Sequence, residues 1–527
     1  MMKKLIVLFS SILVLFALST TPDADAAGRK DVLVIGMATS DIISLDPAKA
    51  FEFSGVGIDA QIYDRLLDFP AGKFDKPEFS LAKSYNVSAD GKTWTFKLRE
   101  GVKFHSGNPL TADDVVYSFQ RVVTLKDQPS FILTQFGITP DSVKAIDRYT
   151  VQITLDDKYA SGIFFACLAA GVASVVDSKE VQQHVQKTDK YPEGDMGLTW
   201  LARNSAGSGA FKLVKWEKGD RVILDANPNH FMYPPKVKRV VIKEINEATS
   251  RRLQVEKGDI DIAWDMFPDQ IKELKKNPDL RIESSPATTI YYVGMNVTMG
   301  PLKDNRVRTA IRHAINYNGL IESIMGGAAS PTNSFIPEGF AGYQDLSIYS
   351  EDLEKARQLM KEAGFSDGFT ISMDHGDQTP NPEIAQALQN SLARVGIKIT
   401  LNKLISAQLW PKYRAQKHEL ILARWGPDYV DPHTNAQPFA DYKAKQLSWR
   451  NVYYNDETSA LIQRAGQEMD NDKRIALYQQ ANRIIQTEGP YAMLYQGKYE
   501  HAVRSNIGEV YAAPQFDLWK LYPITKK

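Results

Sequence analysis

Between Thr93 and Phe119 the chain reads TWTFKLREGVKFHSGNPLTADDVVYSF, a run that leaves little choice of local structure. Trp94, Phe96 and Leu98 alternate with Thr93, Thr95 and Lys97, the period-two pattern of a half-buried strand. Ser106-Gly107-Asn108-Pro109 then breaks the chain. Thr111 is placed to cap a helix whose first turn holds Asp113 and Asp114, where the macrodipole favours carboxylates. Val115, Phe119 and Val122 follow at helical spacing, so strand, turn and helix are specified in succession.

At 527 residues the chain exceeds what one compact core holds, and length points to about two to four domains. Lys3 and Lys4 precede the apolar run Leu5 to Leu18, followed by Ala24-Asp25-Ala26, the order of a secretory signal peptide cleaved after Ala26. The run is shorter than the roughly 20 residues a membrane span needs, and no cysteine follows it to carry a lipid. The mature protein is expected to be soluble and exported. A formal net charge of zero, with no long basic run, argues against nucleic-acid binding. The single cysteine, Cys167, cannot form an internal disulfide and lies in an apolar phrase, as a small buried hydrophobe would.

Strands are expected at Asp31 to Met37, Phe211 to Trp216, Arg221 to Ala226, Arg239 to Ile245 and Thr289 to Met295. Helices are expected at Ile58 to Leu67 and Ala248 to Glu256, and beyond Pro301 long amphipathic helices alternate with strands, the pattern of an α/β lobe. In Val307 to Ile315 the apolar residues share one face, with Arg306, Arg308, Arg312 and His313 mostly on the other. Helices ending at Gly364 and Gly396 carry the usual glycine stop.

Motifs of catalysis are missing: there is no Gly-x-Ser-x-Gly elbow and no phosphate loop, and His418-Glu419 lacks the second histidine of a zincin. Gly55-Val56-Gly57-Ile58-Asp59-Ala60 mimics a dinucleotide loop but does not follow an apolar strand, so no cofactor is expected. The histidines are scattered without ligand spacing, His105 and His433 reading as structural residues, and no metal site is expected. One segment stands apart. Trp425-Gly426-Pro427-Asp428-Tyr429-Val430-Asp431-Pro432 follows the apolar strand Leu420 to Ala423, and ligands in open α/β sheets bind beyond the carboxyl ends of strands. Its carboxylates Asp428 and Asp431, aromatics Trp425 and Tyr429, and prolines suit a cationic group held against a rigid wall; they also suit a polar turn capped by aspartates.

The Thr93–Phe119 block resembles the one near the N-terminus of the large extracytoplasmic solute-binding proteins that serve peptide and nickel ABC importers, family 5. Ala206-Gly207-Ser208-Gly209-Ala210-Phe211, Glu256-Lys257-Gly258-Asp259-Ile260-Asp261 and Gly294-Met295-Asn296 extend the resemblance over nearly all of the mature chain. It implies an α/β fold of the two-lobed periplasmic-binding-protein type (type II, cluster C) with an extra subdomain on lobe I. Lobe I is placed at 27–292 plus 496–527, the subdomain at 58–203 and lobe II at 293–495, hinged near Thr289–Met295 and Met493–Gly497. It further implies a periplasmic monomer without bond chemistry, which captures peptides and delivers them to ABC permease subunits with their ATPases. By the same resemblance Asp428 matches the receiver of the peptide amino group, Trp425 a pocket-lining tryptophan and Trp410 a second one. Dipeptide-binding relatives hold the ligand carboxylate with an arginine ahead of an Asn-Pro pair, but the window Asp374 to Pro382 has none, leaving Arg424 as a substitute. An opine, polyamine, oligosaccharide or metal chelate remains an alternative cargo, and an exported hydrolase an alternative class.

Overall fold

The computed structural model describes residues 30–511, 513 and 519–527; the expected signal peptide, 1–26, lies outside them. Its centre is an eleven-stranded sheet, ordered from one edge Ile397–Leu404, Phe369–Gly376, Leu420–Trp425, Leu280–Met295, Tyr491–Arg504, Ile262–Ala263, Val32–Met37, Arg239–Glu244, Arg221–Ala226 and Phe211–Glu217, with Ala329–Pro331 paired to Tyr491–Arg504 off this path. Strands pair in parallel around Val32–Met37 on one side and around Phe369–Gly376 on the other.

Two long antiparallel strands join the sides. Leu280 to Pro286 pairs with Lys498 to Arg504, and Ile290 to Gly294 pairs with Tyr491 to Gln496, with the register slipping between Pro286 and Ile290. Only the later part of the first strand pairs with Leu420–Trp425, while the end of the second pairs with Ile262–Ala263. Each strand therefore belongs to one half at its start and to the other at its end. A ladder interrupted between the halves is where bending disturbs the fewest backbone hydrogen bonds.

The Thr93–Leu98 strand lies in a separate four-stranded antiparallel sheet with Ala82–Val87, Thr150–Thr154 and Val143–Asp147. Trp94, Phe96 and Leu98 are fully buried, as their alternation requires. Helix Ala112–Leu125 follows; the amide and hydroxyl of Thr111 both donate to Asp114 Oδ2, at 2.8 and 3.0 Å.

Two expectations need correction. The helix expected at Ile58 to Leu67 spans Phe53–Ile62, and at Gly55 its buried face passes close to the Ser44 carbonyl, which a Cβ would meet at 3.3 Å. Arg308 and Arg312 of helix Asn305–Ala314 are buried rather than solvent-facing. Arg308 donates to Glu488 O at 2.8 Å and Arg312 to Tyr491 O at 2.8 Å and to Gly489 O. They satisfy carbonyls left open where helix Asn471–Glu488 ends and the second crossing strand begins.

Beneath the Phe369–Gly376 side lies a core containing Val293, Val307, Ile311, Met373, Leu388 and Leu422. A second, with Leu33, Ile35, Phe211, Ile242 and Trp519, underlies the Val32–Met37 side. The small sheet's core is larger than its own strands: Trp94 and Phe164 belong to the same apolar cluster as Tyr429, Phe439, Leu461 and Tyr478. Cys167 is buried within that cluster, and desolvation pushes its thiol well above the usual range.

Candidate ligand-binding site

A cavity of about 700 Å³ opens where the two crossing strands pass between the halves of the sheet. Ala287, Thr289 and Tyr291 of one strand and Tyr495, Gly497, Lys498 and Tyr499 of the other line it. Strand ends supply its walls. Met37 closes Val32–Met37, Trp264 and Asp265 follow Ile262–Ala263, and Arg424 and Gly426 sit at the end of Leu420–Trp425. Trp410, from helix Ser406–Arg414, adds an indole. A second cavity of about 190 Å³ shares Phe53, Thr289 and Gly426 with the first. Phe51, Val56, Pro129, Ile132 and Val172 make it apolar, and Asp428 also lines it.

The Asp428 carboxylate has neither a hydrogen-bond nor an ion-pair partner among the described residues, and only its backbone amide is engaged, with Thr434 Oγ1 at 3.1 Å. Desolvation raises its carboxyl from 3.8 to about 6. A carboxylate in such surroundings gains most from an arriving cation.

Arg424 is exposed on the larger cavity, and its Nη1 donates only a long 3.4 Å contact to Tyr291 Oη. The Tyr291 ring stacks on Tyr495 at 4.7 Å and 16°. On the opposite wall Arg251 donates to the carbonyls of Ile245, Asn246 and Asp265 at 2.6, 2.9 and 3.0 Å. The Asp265 carboxyl is open to the cavity yet surrounded by protein at longer range, so desolvation raises it while Arg251 pulls it back. Asp265 has a φ of 50°, a conformation in which aspartate is tolerated better than most residues. Its amide donates to Nδ1 of His501 at 3.0 Å, and the His501 ring stacks under Trp264 at 3.8 Å. Burial lowers His501 to about 3, so it stays neutral and the proton sits on Nε2.

Of the residues singled out by sequence, Trp410 and Arg424 line the larger cavity and Asp428 the smaller. Trp425 lines neither; it packs against the large core, with its Nε1 buried and without a partner among the described residues. Tyr429 and Asp431 are buried and also line neither cavity. The Asp431 carboxylate pairs with Arg474 at 2.9 Å and accepts the His433 amide at 2.9 Å, so it is already satisfied inside the protein. Asp374 is likewise buried against Lys412 at 2.7 Å, and no residue of the 374–382 window lines either cavity. His433 bonds the Tyr478 hydroxyl at 3.0 Å and His105 the Gly209 carbonyl at 2.9 Å. Among the described residues no group of three or more His, Cys, Asp or Glu is placed to hold a metal ion.

Sequence reasoning missed Phe53, Trp264, Asp265 and Lys498 as cavity residues. A signal existed for three of them. Trp264-Asp265 follows a strand as Trp425 does, and Lys498 lies one residue beyond the expected crossing Met493–Gly497.

Comparison with known proteins agrees with this architecture. The probable D,D-dipeptide-binding periplasmic protein DdpA of Escherichia coli is 32% identical over 515 residues, covering 96% of each chain. The dipeptide-binding protein of Escherichia coli is 29% identical over 483 residues, covering 86% of this chain and 88% of its own. Among solved structures, HbpA2 from Haemophilus parasuis superposes with a TM-score of 0.83 at 25% identity, covering 94% of this chain and all of that one. The profile of the middle region of bacterial extracellular solute-binding proteins, family 5, matches residues 76–446. With its two-lobed α/β fold and a cleft between the lobes, the chain belongs to that family of extracellular solute-binding proteins.

Proposed function

We propose that the protein is the periplasmic binding component of an ABC importer, and that it captures short peptides by their two charged ends. The observation that carries this reading is the unpaired Asp428 carboxylate in an apolar pocket, opening onto a larger cavity that presents the unpaired guanidinium of Arg424. A peptide's ammonium gives Asp428 the charge-assisted partner it lacks, worth about 1.5–3 kcal/mol. The carboxylate end is then the natural partner of Arg424, whose fork matches a planar carboxylate. Two relatives named for dipeptide binding support this choice of cargo. A polyamine fits less well, because Arg424 and Lys498 both bring positive charge to the larger cavity.

In this reading lobe I comprises 27–292 plus 496–527, carries the 58–203 subdomain, and is joined to lobe II, 293–495, by the crossings near Thr289–Met295 and Met493–Gly497. A ligand touching both lobes stabilises the closed form by its differential affinity, and that form is what the permease recognises. The leader is removed after Ala26, and the mature protein acts as a monomer. The test is calorimetric titration with a dipeptide series and its N-acetylated counterparts. Acetylation and the Asp428→Asn substitution should each weaken binding at least tenfold; full affinity in either case removes Asp428 from the amino-group site.

A further inference from the structure

We propose that the site favours peptides bearing a second carboxylate near the C-terminus, and that Lys498 is the residue that reads it. The inference rests on the peptide reading above and concerns the charge pattern within that same cleft.

Asp41, Arg251, Asp265, Arg424 and Lys498 are the charged side chains lining the larger cavity among the described residues. Arg251 is held by backbone carbonyls and faces Asp265, so these two offset one another. Asp41 is exposed, and its Oδ2 accepts the Ser54 amide at 3.2 Å, so it is both solvated and hydrogen-bonded. Arg424 and Lys498 remain, neither with a carboxylate within ion-pair distance among the described residues. The two linings are formally neutral, three carboxylates to three cations; with Asp41 held by the Ser54 amide and Asp265 beside Arg251, the groups left to meet a ligand are the Asp428 carboxylate and the two cations Arg424 and Lys498. The complementary ligand has one ammonium and two carboxylates.

The positions of the two cations assign them different tasks. Arg424 offers a planar fork suited to an α-carboxylate. Lys498 offers a compact charge on a flexible stem, which follows a side-chain carboxylate through a range of positions. Its backbone is fixed, in register with Pro286 and donating to the Ala328 carbonyl at 3.0 Å, so the stem starts from a rigid base on the cavity floor. Arg424 alone suffices for an uncharged dipeptide, which leaves Lys498 to discriminate among side chains.

The experiment compares isosteric pairs, Leu-Glu with Leu-Gln and Leu-Ala-Glu with Leu-Ala-Gln, by calorimetry on the mature protein and on Lys498→Gln. The wild type should bind the acidic member of at least one pair about tenfold more tightly, equivalent to about 1.4 kcal/mol. That preference should shrink as salt rises. In Lys498→Gln the acidic-to-neutral ratio should fall to within about twofold. Equal affinities within both pairs in the wild type, or an undiminished ratio in Lys498→Gln, overturns the proposal. Binding of the neutral peptides without acidic preference refutes this inference alone, whereas no binding of any of the four peptides refutes the peptide reading and this inference with it.

Discussion

Replacing Asp428 with asparagine should make the ligand-free protein more stable and its grip on an amino terminus weaker, with a pH profile that identifies the cause. Burial raises this carboxyl from 3.8 in the unfolded chain to about 6 in the folded one. The folded state therefore holds its proton more tightly than the unfolded state, and stability falls as pH rises through that interval. By linkage the full displacement costs about 3 kcal/mol at pH 7, and solvent in the cavity trims this to about 2 kcal/mol. Asparagine has no proton to lose, so the substitution removes that cost. Urea denaturation from pH 3 to pH 8 should show wild type and Asp428→Asn diverging between about pH 4 and pH 6, then running in parallel with the variant ahead. Peptide binding gives an independent readout, since an ammonium needs the ionised carboxylate. At pH 6 binding should release about half a proton, measurable from the buffer dependence of the calorimetric enthalpy, and at pH 8 almost none. A stability difference independent of pH, or a variant less stable than wild type at pH 8, would refute the reasoning by showing that Asp428 has a partner within the fold.

The satisfied carboxylate nearby should behave oppositely: Arg474→Ala leaves Asp431 buried without its counter-ion, and should cost about 3–5 kcal/mol in urea denaturation. Gly207→Ala drives a methyl into the Ile62 carbonyl oxygen, and a thermal melt should show a loss of about 2–4 kcal/mol. Trp264 and Trp410 both line the larger cavity, so ligand should change the intrinsic fluorescence, and Trp410→Phe should reduce the change without abolishing it. Native Cys167 should resist a thiol reagent at pH 8 and react once the protein is unfolded, because burial raises its thiol and covers it.

Much of this molecule was legible wherever local chemistry sets local structure. Thr111 and Asp114 announce a helix start that needs no distant partner, and the alternation from Thr93 to Leu98 places its own core residues. Legibility ended where a segment is ordered by something remote. The strand from Leu280 to Pro286 carries Arg281, Glu283, Ser284 and Ser285, too polar for a hydrophobic pattern, and it forms because Lys498 to Arg504 pairs with it. Arg308 and Arg312 follow the amphipathic pattern of solvent-facing cations, yet carbonyls about 180 residues later hold them inside.

The same limit applied in the cleft. Asp428 and Asp431 are three residues apart and equivalent in sequence, but Arg474 reaches only the second and leaves the first to line the smaller cavity. Trp264 and Asp265 follow the two-residue strand Ile262–Ala263, whose end is marked only by position and not by periodicity.

The slipped register between Pro286 and Ile290 lies beneath the cavity, since Ala287, Thr289 and Gly497 all line it. In a lever, points near the pivot travel little while points at the far end sweep a wide arc. Under the proposed hinge, cargo resting on the pivot would be sensed with mechanical gain, and a small difference in bulk at the floor would become a large difference in gap at the rim. The outer surfaces would then report the size of what is held as an angle, readable by a partner that never touches the cargo.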